Sequence, residues 1–475
     1  MTIKIDSSDV VIGSGPTAFA AVSALVASNR HPIVIDFGQN PRSESIRLDK
    51  KSILASKGVG SRSKVFEYPN SLVESRDGKH LPLSNARGGL SNVWGAGILV
   101  REKSEMKEFA SVWTDMQDAY DYLLKLMPHV GVEDQTSSRF PWPSISEKAP
   151  QSARFSSAVG KLQKTSSDVL FGWPRIALNN QTNQCTRCGE CLNGCPLNLF
   201  FNSGVELRLL AAKGLCTFIE GPVITIESRS THTLIRTSSS VIAAKRVFLA
   251  AGPIGTPALL QRSSLAPQEI TVKDSAVFYC GFINKIRPNG DEFDFSSSHM
   301  VAYSRRSGAD DFQLALYESN YEYLSRLGSL LGIPASFLKV PRAFVNRVNA
   351  GIGFLDSSLS GTLTIRFENQ RSIVTRSEPK NLRKSALKII VRVAKSTREV
   401  GITPIPKFVI VPTVGSGYHS GASMPIDGKH VDISGRLRAA QNVFVVDATS
   451  LPEISAGSHT FTAMANAFRI AQSSE

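Results

Sequence analysis

The segment from residue 9 to residue 36 permits very few folds. Asp9–Gly13 (DVVIG) is an apolar run that reads as a buried strand. Gly13-Ser14-Gly15-Pro16-Thr17-Ala18 follows as a G-x-G-x-x-A turn. Phe19–Ser28 is an alanine-rich helix, and His31–Phe37 (HPIVIDF) returns as a second strand. In such a unit Gly13 permits the tight turn and Gly15 lets the backbone approach a pyrophosphate. Ala18 allows close packing of helix on strand, and Pro16 and Thr17 complete the turn at a helix N-terminus that favours phosphate. Asp36 lies about 20 residues beyond Gly15, where a carboxylate that binds ribose hydroxyls is expected.

A second strand–turn–helix block decides between dinucleotides. Lys245–Leu260 reads KRVFLAAGPIGTPALL: an apolar strand enters Ala250-Ala251-Gly252, and a helix is expected near Thr256-Pro257. FAD domains return to the dinucleotide in this way, and a strand pair around Val223 would complete the lobe. The expected fold is therefore α/β, a Rossmann-like FAD-binding domain with a discontinuous second α+β substrate domain. The expected boundaries are 1–265 for the first part of the FAD domain, 266–405 for the substrate domain and 406–475 for the returning part.

Cys185, Cys188, Cys191 and Cys195, followed by Pro196, stand within the expected loop 181–200. Their C-x2-C-x2-C-x3-C-P spacing is that by which bacterial ferredoxins hold iron–sulfur clusters. Two disulfides are an alternative, but no secretory signal precedes them. Zinc is another, but structural zinc ligands usually come as two separated pairs. In two-cluster ferredoxins the fourth cysteine serves the other cluster, and this chain has no second run. Either Cys195 folds back, or Cys216 or Cys280 serves, or three cysteines hold the cluster.

The chain has 475 residues and a net charge of +14. The charge favours anionic partners: a phosphorylated substrate, an acidic redox protein or an anionic membrane surface. Nucleic acid is disfavoured, because no recognition motif accompanies the charge. The densest basic segment, Lys380–Gly401, carries an apolar stripe at Leu382, Leu387, Ile390, Val393 and Ala394. It reads as a helix with a solvated basic face. No apolar run approaches the ~18 residues of a membrane span. The start lacks the features of a secretory signal, so a cytoplasmic protein is expected.

Three further blocks resemble the glucose–methanol–choline oxidoreductases. They are Val247–Leu260 (VFLAAGPIGTPALL), Arg87–Gly97 (RGGLSNVWGAG) and Tyr418–Ala471, which matches the family's C-terminal signature nearly throughout. The G-G-x-S-x-x-W form of the second is most similar to pyranose oxidases. The resemblance implies that His419 and His459 face the reactive edge of the flavin. It implies that Gly89, Ser91 and Asn92 lie beside the isoalloxazine, and that Asp447, Ala448 and Thr460 contact the cofactor. Val93 stands where pyranose oxidases carry a histidine bonded covalently to flavin, so a noncovalent FAD is implied. The HSGASM turn is shorter than the family's usual H-x-x-G-T form, and the cysteine run is absent from the better-known oxidases.

The two histidines can also be weighed by chemistry. His419 sits in a glycine-rich loop (GSGYHSG), and His459 follows Gly457-Ser458 at the start of a helix that Ser458 could cap. Oxidising an alcohol needs a base for the hydroxyl proton while hydride leaves carbon, and histidine suits that role near neutrality. The expected protein is an FAD-dependent dehydrogenase acting on a CH–OH group of a sugar, polyol or other alcohol. The cysteine cluster would relay electrons to an external acceptor such as a quinone or redox protein. The alternatives are an oxygen-reducing oxidase with structural cysteines and a non-catalytic flavin and iron–sulfur electron-transfer subunit.

Overall fold

The computed structural model describes residues 3–5, 9–38, 65, 72–81, 83–84, 86–142, 147–165, 167–180, 185–286, 295–308, 311–318 and 346–474. Residues 181–184 of the expected cysteine loop lie outside them. The fold is α/β, and its centre is a six-stranded, mostly parallel sheet. The strand order is Arg436–Leu437, Ala440–Val445, Arg246–Leu249, Asp9–Ile12, Ile33–Asp36 and Thr217–Glu220. The inner strands read as continuous apolar runs because both faces are covered: Val10, Val11, Val34, Ile35, Val247, Phe248 and Val443 have no exposure.

The helix of the first turn runs Pro16–Ala27, three residues earlier than the alanine pattern suggests. Proline is suited to the first helical turn, where its missing N–H is no loss. Buried Ala18, Ala20, Ala21 and Ala24 let this helix pack closely between the sheet and the helix Thr460–Ser473. At the strands' opposite end Asp9, 4 % exposed, pairs with Arg30 and Arg246, each at 2.5 Å. Arg30 also donates to Ser474 O at 3.0 Å, joining the first strand–helix unit to the end of the last helix.

The second block likewise starts its helix early, at Gly252 rather than near Thr256, and that helix runs to Arg262. A four-stranded sheet, Ile3–Ile5, Val241–Ala244, Thr233–Thr237 and Val223–Ser228, completes the lobe. Two antiparallel-rich sheets build the rest. One has the order Ser420–Gly421, Glu269–Asp274, Thr362–Glu368, Arg371–Ser377, Val73–Ser75. The other runs Ile402–Ile410, Val277–Asn284, Val348–Leu355, Phe312–Tyr317, Ser298–Ser304, Val169–Gly172. Each takes an edge strand from the early chain, Val73–Ser75 and Val169–Gly172.

The last of these sheets has two different faces, as alternation along strands requires. Phe278, Phe282, Met300, Phe312 and Leu314 pack against the helices Ala153–Leu162 and Leu382–Thr397. The latter is the basic segment, its stripe of Leu382, Ile390, Val393 and Ala394 buried under the sheet. The opposite face, with Tyr279, Tyr303, Tyr317 and Phe354, roofs a cleft over the carboxyl ends of the parallel strands. Among the described residues no helix is long and apolar enough to cross a membrane.

Candidate active site

The cleft has a volume of ≈ 490 Å³ and lies where open α/β sheets bind ligands, beyond the carboxyl ends of the strands. Gly13, Gly15, Pro16, Thr17, Asp36, Gly89, Ser91, Val93, Val223, Ala251, Gly252, His419, Asp447, Ala448, His459 and Thr460 all line it. Ala18 lies behind the turn with no exposure, as a packing position should.

Backbone demands explain the glycines. Gly13 has φ +113°, and a Cβ there would overlap the Ala250 carbonyl. Gly13 N donates to Ile35 O at 2.8 Å, and Ala250 N donates to Ile12 O at 2.9 Å, so the two turns are stitched onto one strand end. A Cβ on Gly15 meets nothing within 4 Å, which leaves an open cradle at the N-terminus of the Pro16–Ala27 helix. Asp36 accepts from Gly38 N at 2.8 Å, and burial raises its carboxyl to about 6. Asp447 bridges the second turn to the last strand: its carboxylate accepts from Gly252 N at 2.8 Å, Thr256 Oγ1 at 2.5 Å and Thr449 N at 2.9 Å. These residues fit an FAD: an unobstructed pyrophosphate cradle, and an acid at the end of the second strand for ribose.

The loop 87–97 is held by a serine network. Gly88 N donates to Ser14 Oγ at 2.8 Å, Ser91 Oγ donates to Gly88 O at 2.6 Å, and Ser203 Oγ donates to Ser14 O at 2.9 Å. The Asn92 side chain, in the loop expected beside the flavin, ties that loop together. Its Nδ2 donates to Gly89 O at 2.7 Å and Arg87 O at 3.0 Å, and its Oδ1 accepts from Asn202 at 2.7 Å. Asn202 in turn caps the helix Ser203–Ala212, which follows the cysteines.

His419 and His459 stand edge to face with ring centroids 5.0 Å apart and planes at 83°. His419 stacks on Phe354 at 4.1 Å. Both Nδ1 atoms are buried with no hydrogen-bond partner among the described residues. Tyr418, at φ 58°, turns the chain so that His419 enters the cleft, and Ser275 N holds His419 O at 2.8 Å. Ser458 does not cap the following helix. Its hydroxyl donates to Gly97 O at 2.6 Å and its N–H to Gln313 Oε1 at 3.0 Å, clamping the chain at His459, which occupies the N-cap position itself without a side-chain cap. Burial lowers His419 to about 4, and the Arg101 guanidinium acts in the same direction. Burial, His419 and Arg101 also hold His459 well below its usual value. Both imidazoles are neutral at pH 7 and able to accept a proton.

The four cysteines line a small pocket of their own with Leu197, Leu199, Phe200 and Phe295. All are free thiols, and burial raises Cys191 strongly. Arg187, Gly189, Gly194 and Asn198 have positive φ, which winds the loop back repeatedly. Among the described residues no three His, Cys, Asp or Glu side chains are grouped to hold a metal ion. The loop touches the cleft wall. A Cβ on Gly194 would stand 3.1 Å from Asn92 O, and Leu192 lines the cleft. Cys216 and Cys280 are buried elsewhere, Cys216 against Leu207 O and Cys280 against Gly351 O.

No known family profile and no curated protein matches the sequence. Among solved structures, pyridoxine 4-oxidase from Mesorbium loti aligns with a TM-score of 0.62 and 14 % identity, over 98 % of both chains. The chain has that oxidase's fold. Tyr279, Tyr303, Tyr317, Phe354, Gln313 and Arg101 escaped sequence reasoning. Alternating aromatic residues on a strand look alike whether they face a core or a cleft, and nothing local marks Arg101 as a buried cation.

Proposed function

We propose that this chain is an FAD-dependent oxidoreductase that oxidises the CH–OH group of a small-molecule alcohol. The observation that carries the reading is the pair of buried, neutral, edge-to-face histidines at the end of a cleft whose other end fits a dinucleotide. FAD, when bound, supplies the hydride acceptor. His459 or His419 takes the hydroxyl proton, and the other histidine orients the hydroxyl through its remaining ring nitrogen. Phe354 fixes the His419 ring plane, and the Ser458 clamp fixes the backbone at His459. The tyrosine-lined roof covers the substrate and excludes water. Val93 offers no nucleophile to the flavin, so the cofactor is held noncovalently. Anaerobic screening of sugars, polyols and ring-bearing alcohols, pyridoxine among them, for bleaching of the flavin band tests the reading. An FAD-loaded protein that no alcohol bleaches would sink it.

The electron acceptor divides two further readings. In the first, Cys185, Cys188, Cys191 and Cys195 hold an iron–sulfur cluster that passes electrons to a quinone or redox protein. Three features support it: the four thiols share one pocket, the loop carries residues of positive φ, the backbone conformation from which anion-binding nests are built, and the loop abuts Asn92. The missing single-ion group weighs against zinc more than against a cluster, whose thiolates bind different metal atoms and stand farther apart than ligands of one ion. The second reading is an oxidase that reduces oxygen, favoured by the name of the structural neighbour. Iron and acid-labile sulfide in anaerobically purified protein would support the first, and stoichiometric peroxide from metal-free protein the second.

A further inference from the structure

His459 faces two cavities. One is the cleft; the other, ≈ 160 Å³, is lined by Arg101, Glu105, Arg139, Asp311, Glu108, Asp356 and Glu453. Its walls and its mouth differ in chemistry. In the walls the charges are paired. Glu105 accepts from Arg101 at 3.5 Å and from Arg139, and Arg139 forks onto Asp311 at 2.7 and 2.6 Å. Arg101 is further fixed by donating to Ser455. Toward solvent the exposed Glu108 and Glu453 make no ion pair among the described residues, and the carboxylate of the buried Asp356 accepts the Ser358 N–H at 2.8 Å. Glu453 is exposed to solvent. His459, at 7 % exposure, is buried between the two cavities it lines, and its Nδ1 is without a partner among the described residues.

A polar cavity of this size holds several waters, since one needs only ~10–15 Å³ by the same measure. Resting on the alcohol-oxidation reading, we propose that this cavity is the proton exit of the reaction. The hydroxyl proton moves from substrate to His459, then through ordered water to Glu453 and bulk solvent, while the hydride leaves on the cleft side. The balance is complete: one O–H and one C–H bond break, the C=O bond forms, two electrons go with the hydride, and one proton reaches solvent. Burial, His419 and Arg101 make His459 a weak base that gives up its proton easily, and the exposed Glu453 carboxylate on the same cavity stands between it and solvent. Arg101 discourages a proton from resting on either histidine. Separate exits spare the roof from opening to release the proton.

The test pairs structure with kinetics. A high-resolution crystal structure should show ordered water linking a His459 ring nitrogen to the Glu453 carboxylate; a dry cavity overturns the proposal whatever the enzyme's activity. In FAD-loaded Glu453→Gln and Glu108→Gln/Asp356→Asn, using any alcohol that bleaches the wild-type flavin (pyridoxine tried first), the first flavin reduction should stay within about twofold of wild type. Turnover with an artificial acceptor should fall by at least ~10-fold, less than the 10²–10⁴-fold of a direct acid–base group. A new solvent deuterium effect and recovery by added imidazole buffer should accompany the fall. Wild-type turnover in both variants overturns the exit. Failure of every alcohol to bleach wild type sinks the catalytic reading and leaves the water chain to be judged by crystallography.

Discussion

Gly13 and Gly15 belong to one turn but should fail in opposite ways. Gly13→Ala places a side chain at φ +113° against the Ala250 carbonyl, with the new Cβ 2.7 Å from Ala250 C and 3.2 Å from Ala251 N. Left-handed backbone costs an L-residue roughly 1–2 kcal/mol, and overpacking against backbone a further ~1–3 kcal/mol, for about 2–5 kcal/mol in all. With about 2 cal/mol/K of unfolding entropy per residue, 475 residues convert this to a Tm loss of roughly 2–5 °C. Gly15→Ala has φ −68° and meets no atom within 4 Å. Its only folding penalty is a poorer helix N-cap, at most about 1 kcal/mol. Its methyl group stands where a pyrophosphate must approach. A clash of ~1–3 kcal/mol lowers FAD affinity by roughly 5- to 150-fold. Differential scanning calorimetry of the FAD-free proteins and fluorescence titration with FAD separate the two effects. An unshifted Tm for Gly13→Ala, or an equal loss for Gly15→Ala, would refute the assignment of fold to one glycine and cofactor to the other.

Ala at His419 or His459 should slow flavin reduction by roughly 10²-fold or more with little loss of FAD, read by stopped-flow bleaching; normal rates in both variants would remove them from the reaction. Because His419 is held at about 4 and His459 well below its usual value, the base stays unprotonated through the neutral range. The reductive rate should be flat through the neutral range; with His419 as the base it should fall only as pH drops through about 4, and with His459 as the base it should likewise hold well below the ordinary histidine range. Stability moves in the same direction but from a higher pH: the unfolded histidines bind protons below about pH 6.5 and the folded ones do not, so acid below that value already disfavours the fold. Asp36, raised to about 6, must be ionised to receive ribose hydroxyls, so FAD affinity should weaken by up to ~10-fold per unit below that pH. Asp36→Asn should abolish that slope. Acid precipitation should release FAD into the supernatant, since Val93 cannot bond it; flavin retained on the pellet would contradict this.

The parts legible in the sequence are those where local backbone chemistry announces itself. The turns at 13–18 and 250–252, the acid at 36 and the late segment around 419, 447 and 459 each carry a constrained pattern, and all converge on one cleft. Helix starts were read late because Pro16 and Gly252 look like turn residues, although both occupy the first helical position. Asn92 and Ser458 show the limit of such reading. Their side chains could bond in several ways on paper, and only neighbours distant in sequence show that Asn92 braces its loop with Asn202 and that Ser458 bonds Gly97 O rather than capping its helix. The roof and Arg101 depend on which strands meet across hundreds of residues, information no short window holds.

The strand order has a consequence for biosynthesis. Asp9–Ile12 pairs with Arg246–Leu249, which pairs with Ala440–Val445, and the first helix leans on Thr460–Ser473. The phosphate cradle is thus translated long before its supporting layer. Until residues 440–473 have left the ribosome, the nascent sheet keeps an unpaired hydrophobic edge and the cradle lacks its backing. Such long-range pairing folds slowly and exposes sticky intermediates. Chains arrested before residue 440 should therefore remain protease-sensitive and refuse FAD, making cofactor loading a post-translational checkpoint on completeness.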